Sequence, residues 1–187
     1  IEMGKLGQQI IGYHCNDEVK IDKFKNREVS LLISYEDDIW LGNGMYFWEN
    51  KSNLDYWKRN RERNYPDKNF SSVEVMLSLD FLLDLSDKEH RKFCKKVLSD
   101  LIERGKDNGI DESIFNNDLG EVINVLFSKT DILASHFNVL RTHGLYNWSE
   151  DKFLVGNDNK YQSVNRPTSN VKTIYCVKNE RAILEIL

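Results

Sequence analysis

The sequence has no long hydrophobic run, and none of its apolar stretches approaches the roughly 20 residues that a helix needs to cross a bilayer. Its first segment, IEMGKLGQQIIGYH, lacks the hydrophobic region and the small-residue cleavage site of a signal peptide. The three cysteines form an odd set without metal-ligand spacing, so no disulfide is expected. These absences predict a cytoplasmic protein without membrane contact.

Several common catalytic motifs are also missing. The chain contains no GxxxxGK[ST], no GxGxxG that opens a helix, no HExxH and no GxSxG. Nucleotide hydrolysis, Rossmann-type redox chemistry, zinc proteolysis and α/β-hydrolase chemistry therefore lose their usual sequence support. The four histidines also lack ligand spacing, so no metal cofactor is predicted.

The residues that are present are typical of one globular domain spanning 1–187. Apolar residues make up 40% and charged residues 30%, which excludes a disordered chain. The net charge of −4 excludes a generally basic surface that coats nucleic acid. The one basic cluster, KRNRER at 58–63, is interpreted as a solvated helix face, with RNA contact as the alternative.

Hydrophobic periodicity predicts strands near both ends of the chain and a helical block between them. The predicted strands cover 9–14, 73–79, 153–156 and 171–178, with 180–187 as a short strand or edge extension. The predicted helices cover 50–64, 86–104, 118–129 and 131–141. Ser86 and Glu89 form a capping box for the second helix, and His143-Gly144 closes the last. The fold class is therefore α+β, with a helical insertion at about 86–141.

Two short segments in the first third of the chain carry the most specific pattern. His14 ends the first predicted strand, and about 30 residues later comes the segment WLGNGMYFW at 40–48. Its two glycines indicate a tight turn or a close approach of the backbone. Taken singly, each segment favours a structural interpretation, in which the aromatic side chains, including Trp40 and Trp48, belong to the core.

Taken together, GYHCND and WLGNGMYFWEN resemble the first two motifs of the ADP-ribosyltransferase superfamily of the poly(ADP-ribose) polymerase and diphtheria-toxin type. In that family Y-H-G on the first strand is followed by G-x-G-[IM]-Y-F on the second, and a late glutamate completes a His-Tyr-Glu set. The chain is most similar to a bacterial branch that reads Y-H-G-C-D…W-L-G-x-G-I-Y-F-W-E. The match is dense at 11–17 and 39–57, and looser but collinear afterwards.

The resemblance implies a fold of split antiparallel β-sheets with a helical insertion. It implies a mono-ADP-ribosyltransferase that cleaves NAD⁺ and passes ADP-ribose to a protein or nucleic-acid acceptor. Chains of this kind resemble bacterial toxins or phage-defence effectors, which implies an antitoxin or immunity partner. The alternative is a catalytically silent module that has the same fold and binds NAD⁺ or another partner.

The resemblance also implies roles for individual residues. His14 would orient the adenosine-side ribose, and Tyr46 would stack on the nicotinamide ring. Cys15 stands where the family has glycine, at a position whose backbone holds the nicotinamide carboxamide. Besides these residues, the implied NAD⁺-binding set includes Gly44, Ser52 and Tyr56.

The third motif departs from the family pattern. The position of the family's glutamate falls on Ile174 or, with a shift of one residue, on Thr173. Thr173 is predicted as the third catalytic residue because its hydroxyl can bond the ribose 2′-OH, which Ile174 cannot do. Nearby acids that could replace the missing carboxylate are interpreted first as surface charges: Glu150, Asp151, Asp158, Glu180 and Glu185.

Overall fold

The strands and helices alternate along the chain in a mixed α+β order. The computed structural model describes residues 7–35, 38–104, 112–145 and 171–187. Within them the strands are β1 (Gln9–Asp17), β2 (Met45–Trp48), β3 (Phe70–Ser78), β4 (Leu82–Asp84), β5 (Val139–Leu145), β6 (Val171–Val177) and β7 (Ile183–Ile186). The helices are α1 (Glu18–Lys25), α2 (Lys51–Asn64), α3 (Lys88–Arg104), α4 (Leu119–Lys129) and α5 (Asp131–His136). None of these helices is long and apolar enough to cross a membrane.

The strands form one sheet in the order β4-β5-β6-β2-β1-β3-β7. Every neighbouring pair is antiparallel except β4 and β5, which are parallel. Strand β1 pairs with β3 along its whole length, whereas β1 and β2 share the single register pair Tyr13 and Trp48. The sheet therefore consists of two halves, β4-β5-β6-β2 and β1-β3-β7, that meet at a narrow junction.

One face of the sheet is covered by α1. Ile21 and Phe24 of this helix pack on side chains from both sheet halves, among them Phe47 and Val75. The strand predicted at 73–79 is confirmed, since its alternate residues Val73, Val75, Leu77 and Leu79 are all buried on this face. The period of two places every second side chain in the same core.

The opposite face is covered by the other helices. Helices α3, α4 and α5 pack on the half that contains β4, β5 and β6, where Leu83, Leu140 and Ile174 are buried. Helix α2 lies over β1 and β3, and its Leu54 packs with Cys15 and Phe70. The helix predicted at 50–64 is thus confirmed, and it covers the sheet beside the junction of the two halves.

The cap of α3 differs from the prediction by one residue. Asp87, not Ser86, accepts from the first-turn amides, with its Oδ1 2.6 Å from the Glu89 nitrogen and 3.4 Å from that of His90. The Ser86 hydroxyl donates instead to Asp84 at 2.7 Å. The capping box of Ser86 and Glu89 is therefore wrong, because Asp84 engages the serine and leaves the cap to the stronger acceptor at Asp87.

The helix predicted at 131–141 is also too long. Helix α5 ends at His136, and the segment from Val139 onward is strand β5, which pairs with β4 and β6. The pair His143-Gly144 lies within this strand and does not close a helix. The start of β5 is covered on both faces, so Val139 and Leu140 are both fully buried and the alternation that identifies a strand is lost there. The helical insertion therefore ends at residue 136, not 141.

The remaining predicted elements have different outcomes. The helix predicted at 118–129 is confirmed by α4, and the strand predicted at 171–178 is confirmed by β6. The terminal segment forms a short 3₁₀ turn at Glu180–Ala182 and then β7 at the edge of the sheet. The strand predicted at 153–156 lies outside the described residues.

Candidate functional site

A pocket of about 300 Å³ opens at the junction of the two sheet halves. Side chains from β1, β2, β6, α2 and the segment before β2 line it. They are His14, Cys15, Asn16, Leu32, Ser34, Trp40, Tyr46, Phe47, Trp48, Trp57, Arg61 and Ile174. An aromatic cavity of this size with a few polar groups is typical of a small-molecule site.

His14 lies in the wall of this pocket, and its side chain is 7% exposed. Its Nδ1 lies 2.7 Å from the carbonyl oxygen of Tyr46, and because a carbonyl only accepts, Nδ1 carries the proton. Burial lowers the pKa of His14 to about 4, helped by the charge of Arg61 and opposed by the bond to Tyr46. The imidazole is therefore neutral at pH 7, and its Nε2 is a hydrogen-bond acceptor, 3.4 Å from the amide nitrogen Nδ2 of Asn16.

Tyr46 presents its ring to the pocket, while its hydroxyl is engaged elsewhere. The hydroxyl donates to the carbonyl oxygen of Gly42 at 2.6 Å and accepts from the Leu41 amide at 3.0 Å. These bonds connect the ring to the turn that precedes β2. The phenol is thus held in position by its own loop, and Tyr46 forms part of the pocket wall.

The two glycines of this turn are required by packing. Gly42 has a φ of +69°, and a Cβ there would lie 2.3 Å from Oδ1 of Asn124. At Gly44 a Cβ would lie 2.4 Å from Sγ of Cys176 on the neighbouring strand β6. The resemblance implies that Gly44 binds NAD⁺; the structure supplies a different reason for the glycine, since only glycine lets the chain approach β6 this closely.

Cys15, which stands where the family that the chain resembles has glycine, lies in β1 in register with Ser72 of β3. Its side chain packs against Leu54 and Phe70 beneath α2, and it also lines the pocket. Burial raises the pKa of the thiol, so Cys15 is protonated at neutral pH and is not a nucleophile.

Ser52 and Tyr56 lie on α2, and the described part of the structure does not bring either side chain into the pocket wall. Ser52 is exposed, and its hydroxyl donates to Oδ1 of Asn50 at 2.8 Å at the start of the helix. Tyr56 is 41% exposed, and Nζ of Lys172 lies 5.0 Å from the centre of its ring. Tyr56 therefore lies beside the start of β6, outside the pocket.

Thr173 and Ile174 of β6 are the two candidates for the third catalytic position, and they have different partners in the sheet. Ile174 pairs with Trp48 of β2 and lines the pocket. Thr173 pairs with His143 of β5, the other neighbour of β6, and its hydroxyl oxygen lies 3.2 Å from Nδ1 of that histidine. Of these two residues, Ile174 belongs to the pocket lining and Thr173 does not. The role of Thr173 as the third catalytic residue stays a prediction.

No carboxylate lines the pocket among the residues that the structure describes. Glu180 and Glu185 border a second cavity, of about 400 Å³, formed by the end of α1 and by β7. Glu150, Asp151 and Asp158 lie outside the described residues. The part of the pocket wall that Ile174 forms is therefore apolar.

Sequence reasoning missed several residues of the pocket wall. Trp48 packs against the core as expected and also lines the pocket, whereas Trp40, expected in the core, lines the pocket and is 36% exposed. The rings of Trp48 and Trp57 lie with their centroids 6.2 Å apart. Arg61 of the basic cluster also lines the pocket. A signal for Trp57 and Arg61 existed, because their spacing from Leu54 places all three on one helical face.

Comparison with known proteins adds no independent support. The chain matches no protein-family model, no curated protein and no solved structure. Over the described ranges, no group of three or more His, Cys, Asp or Glu side chains is arranged to hold a metal ion. The two motifs and the geometry of the pocket are therefore the features that bear on function.

Proposed function

We propose that this chain binds NAD⁺ in the pocket between the sheet halves and acts as a mono-ADP-ribosyltransferase on a macromolecular acceptor. One observation carries the proposal: His14 of the first motif and Tyr46 of the second line the same pocket and are joined by a 2.7 Å hydrogen bond. The narrow junction of β1 and β2 supports the split-sheet fold that the resemblance implies.

The reaction breaks the bond between C1′ of the ribose and the nicotinamide nitrogen, and the electron pair leaves with the nicotinamide. An acceptor nucleophile then attacks C1′ and loses its proton to solvent. The pyridinium nitrogen of NAD⁺ already carries a positive charge, so nicotinamide leaves as a neutral molecule and no general acid is needed. The transition state resembles the oxocarbenium ion of glycoside cleavage.

The pocket suits this chemistry because His14 is neutral. With Nδ1 donating to Tyr46, the Nε2 atom accepts a hydrogen bond from a ribose hydroxyl and so orients the sugar. The rings of Tyr46, Trp48 and Trp57 offer faces on which the nicotinamide or adenine ring stacks. The described residues therefore bind NAD⁺ and orient its ribose.

Ile174 favours a second candidate function, a catalytically silent module that binds NAD⁺. The developing positive charge on the ribose needs a stabilising partner, and an isoleucine side chain has none to offer. In this superfamily chain elongation depends on the missing glutamate, so polymer synthesis is not proposed.

The two functions are separated by measuring NAD⁺ binding and nicotinamide release in the same preparations. We expect the wild-type protein to bind NAD⁺ by calorimetry, to release nicotinamide slowly and to label an acceptor in cell lysate. Ile174→Glu should raise the release rate on the order of 10²- to 10³-fold, which is the usual effect of one well-placed stabilising group. Ile174→Leu is the matched control and should leave the rate at the wild-type level.

Other outcomes would decide against the proposal. Binding of NAD⁺ without release in both wild type and Ile174→Glu would establish the silent module. Absence of NAD⁺ binding would overturn the pocket assignment itself. Tyr46→Ala locates the site, because removal of the stacking ring should weaken NAD⁺ binding by about 1 to 3 kcal/mol.

A further inference from the structure

Arg61 carries a positive charge that no described residue neutralises. It lies half-buried on α2 and lines the pocket. The ion pairs formed by the described residues do not include it, and none of the described pocket walls contributes a carboxylate. A cation in a partly desolvated aromatic site attracts an anion strongly, because little water screens it.

Two aromatic rings hold this guanidinium in place. Its central carbon lies 5.3 Å from the ring centre of Tyr65 and 5.4 Å from that of Phe70. Phe70 is buried at the start of β3, and its ring lies 6.4 Å from that of Tyr65. Stacking of this kind orients the guanidinium plane and leaves its N–H groups free to donate at the edge.

The neighbouring arginines of the same helix are placed differently. Arg59 is exposed, and its Nε donates to the backbone oxygen of Asp55 at 3.2 Å. Arg63 is exposed as well, and neither residue lines the pocket. The basic cluster therefore contains one arginine that faces the pocket and others that face solvent.

We propose that Arg61 binds the pyrophosphate of the dinucleotide and is the anion-recognition residue of the pocket. This inference rests on the proposed function, because NAD⁺ is the ligand that the two motifs imply. The guanidinium fork matches a pair of phosphate oxygens, and such charge-assisted hydrogen bonds are stronger than neutral ones. The pyrophosphate joins the ribose that His14 orients to the rest of the ligand, so a cation in the same wall positions both parts.

Calorimetric titration of Arg61→Gln with four probes tests this assignment: NAD⁺, ADP, inorganic pyrophosphate and adenosine. We expect affinity for NAD⁺, ADP and pyrophosphate to fall about tenfold to hundredfold, which is the usual effect of a lost charge-assisted hydrogen bond. Affinity for adenosine, which has no phosphate, should not change. Arg63→Gln is the matched control on the same helix and should bind all four probes as the wild type does.

Two further measurements separate a direct contact from a packing effect. Arg61→Lys keeps the charge but loses the fork, so we expect its affinity for ADP to lie between those of wild type and Arg61→Gln. Affinity of the wild type for ADP should fall as NaCl rises from about 0.05 to about 0.5 M, and this fall should be smaller in Arg61→Gln. Circular dichroism and thermal unfolding check that each variant is folded.

The possible failures are distinguishable. Unchanged affinity of Arg61→Gln for NAD⁺ and ADP would overturn the role of Arg61 and leave the proposed function standing. An equal loss for adenosine and ADP would also overturn it, since Arg61 would then act only by packing on Tyr65 and Phe70. Binding of ADP or pyrophosphate through Arg61 without binding of NAD⁺ would support this inference and overturn the proposed function. No binding of any phosphate-containing probe would overturn both.

Discussion

Two arginines, one in strand β5 near the β4 edge of the described sheet and one on helix α2 beside the pocket, show two uses of the same side chain. Arg141 of β5 forms an ion pair with Asp84 of β4, and this pair joins the only parallel neighbours among the described strands. Arg61 stacks on two aromatic rings beside the pocket and pairs with no described carboxylate. A neutralised cation contributes to stability, whereas an unneutralised one in a pocket wall is available to a ligand.

The two regions also differ in what sets the pKa of their titratable groups, which are Asp84 beside Arg141 and His14 in the pocket. Burial raises the pKa of Asp84, but hydrogen bonds from Arg141 and Ser86 outweigh it and hold the pKa at about 2. Burial dominates at His14 and lowers its pKa to about 4. Both regions lose stability in acid, but they do so over different pH ranges, and this difference can be measured.

The largest expected effect is the acid sensitivity that His14 confers. Its pKa is about 4 in the folded protein and 6.5 ordinarily, so the unfolded chain binds the proton more readily. The stabilising contribution is complete above pH 6.5 and is lost as the pH falls towards 4, to a total of about 3 kcal/mol. The free energy of unfolding is measured in urea at pH 7 and at pH 4. Between these two pH values it should fall by about 3 kcal/mol less in His14→Gln than in the wild type.

His136→Gln serves as the control for this measurement, because His136 is an exposed histidine at the end of α5. It should keep the wild-type dependence of the free energy of unfolding on pH. If His14→Gln kept that dependence too, the pocket histidine would not be buried as a neutral group, and the contrast with Asp84 would fail.

A smaller effect is expected at β4, an edge strand of the described sheet. Asp84→Asn breaks the pair with Arg141 and should lower the free energy of unfolding at pH 7 by about 2 kcal/mol. Because the folded pKa of about 2 lies below the ordinary 3.8, this contribution is present above pH 3.8 and is lost as the pH falls through 2. Urea unfolding measures the loss, and affinity for NAD⁺ should not change.

The exposed Asp22 of α1 supplies the control variant, since Asp22→Asn should alter the free energy of unfolding by no more than about 0.5 kcal/mol. A tenfold loss of NAD⁺ affinity in Asp84→Asn would show that the two regions are coupled. The division into a stabilising cation and a ligand-binding cation would then be wrong.

The smallest expected effect concerns the hydroxyl of Tyr46. Tyr46→Phe removes the bonds to Gly42 and Leu41 and should lower the free energy of unfolding by about 1 kcal/mol. The ring remains, so affinity for NAD⁺ measured by calorimetry should stay within about twofold of wild type. A loss of tenfold or more would mean that the hydroxyl itself contacts the ligand.

Sequence reasoning succeeded where one face of an element is buried and the other is exposed. The alternation of β3 and the helical spacing of α2 could be recognised in the sequence because each element has one more buried and one more exposed face. Strand β5 was misjudged as the continuation of a helix because both faces of its start are covered. Its identity depends on hydrogen bonds to β4 and β6, which no local pattern encodes.

The sequence by itself determined that His14 and Tyr46 stand in two segments that resemble the motifs of one superfamily, because residue type and spacing are local properties. The tertiary structure decided which side chains complete their pocket. Alternation along β6 requires Thr173 and Ile174 to point to opposite faces, but only the pairing of Ile174 with Trp48 selects the face. Likewise, the helical spacing placed Arg61 on a buried face, and only the packing of α2 beside the junction of β1 and β2 turned that face into a pocket wall.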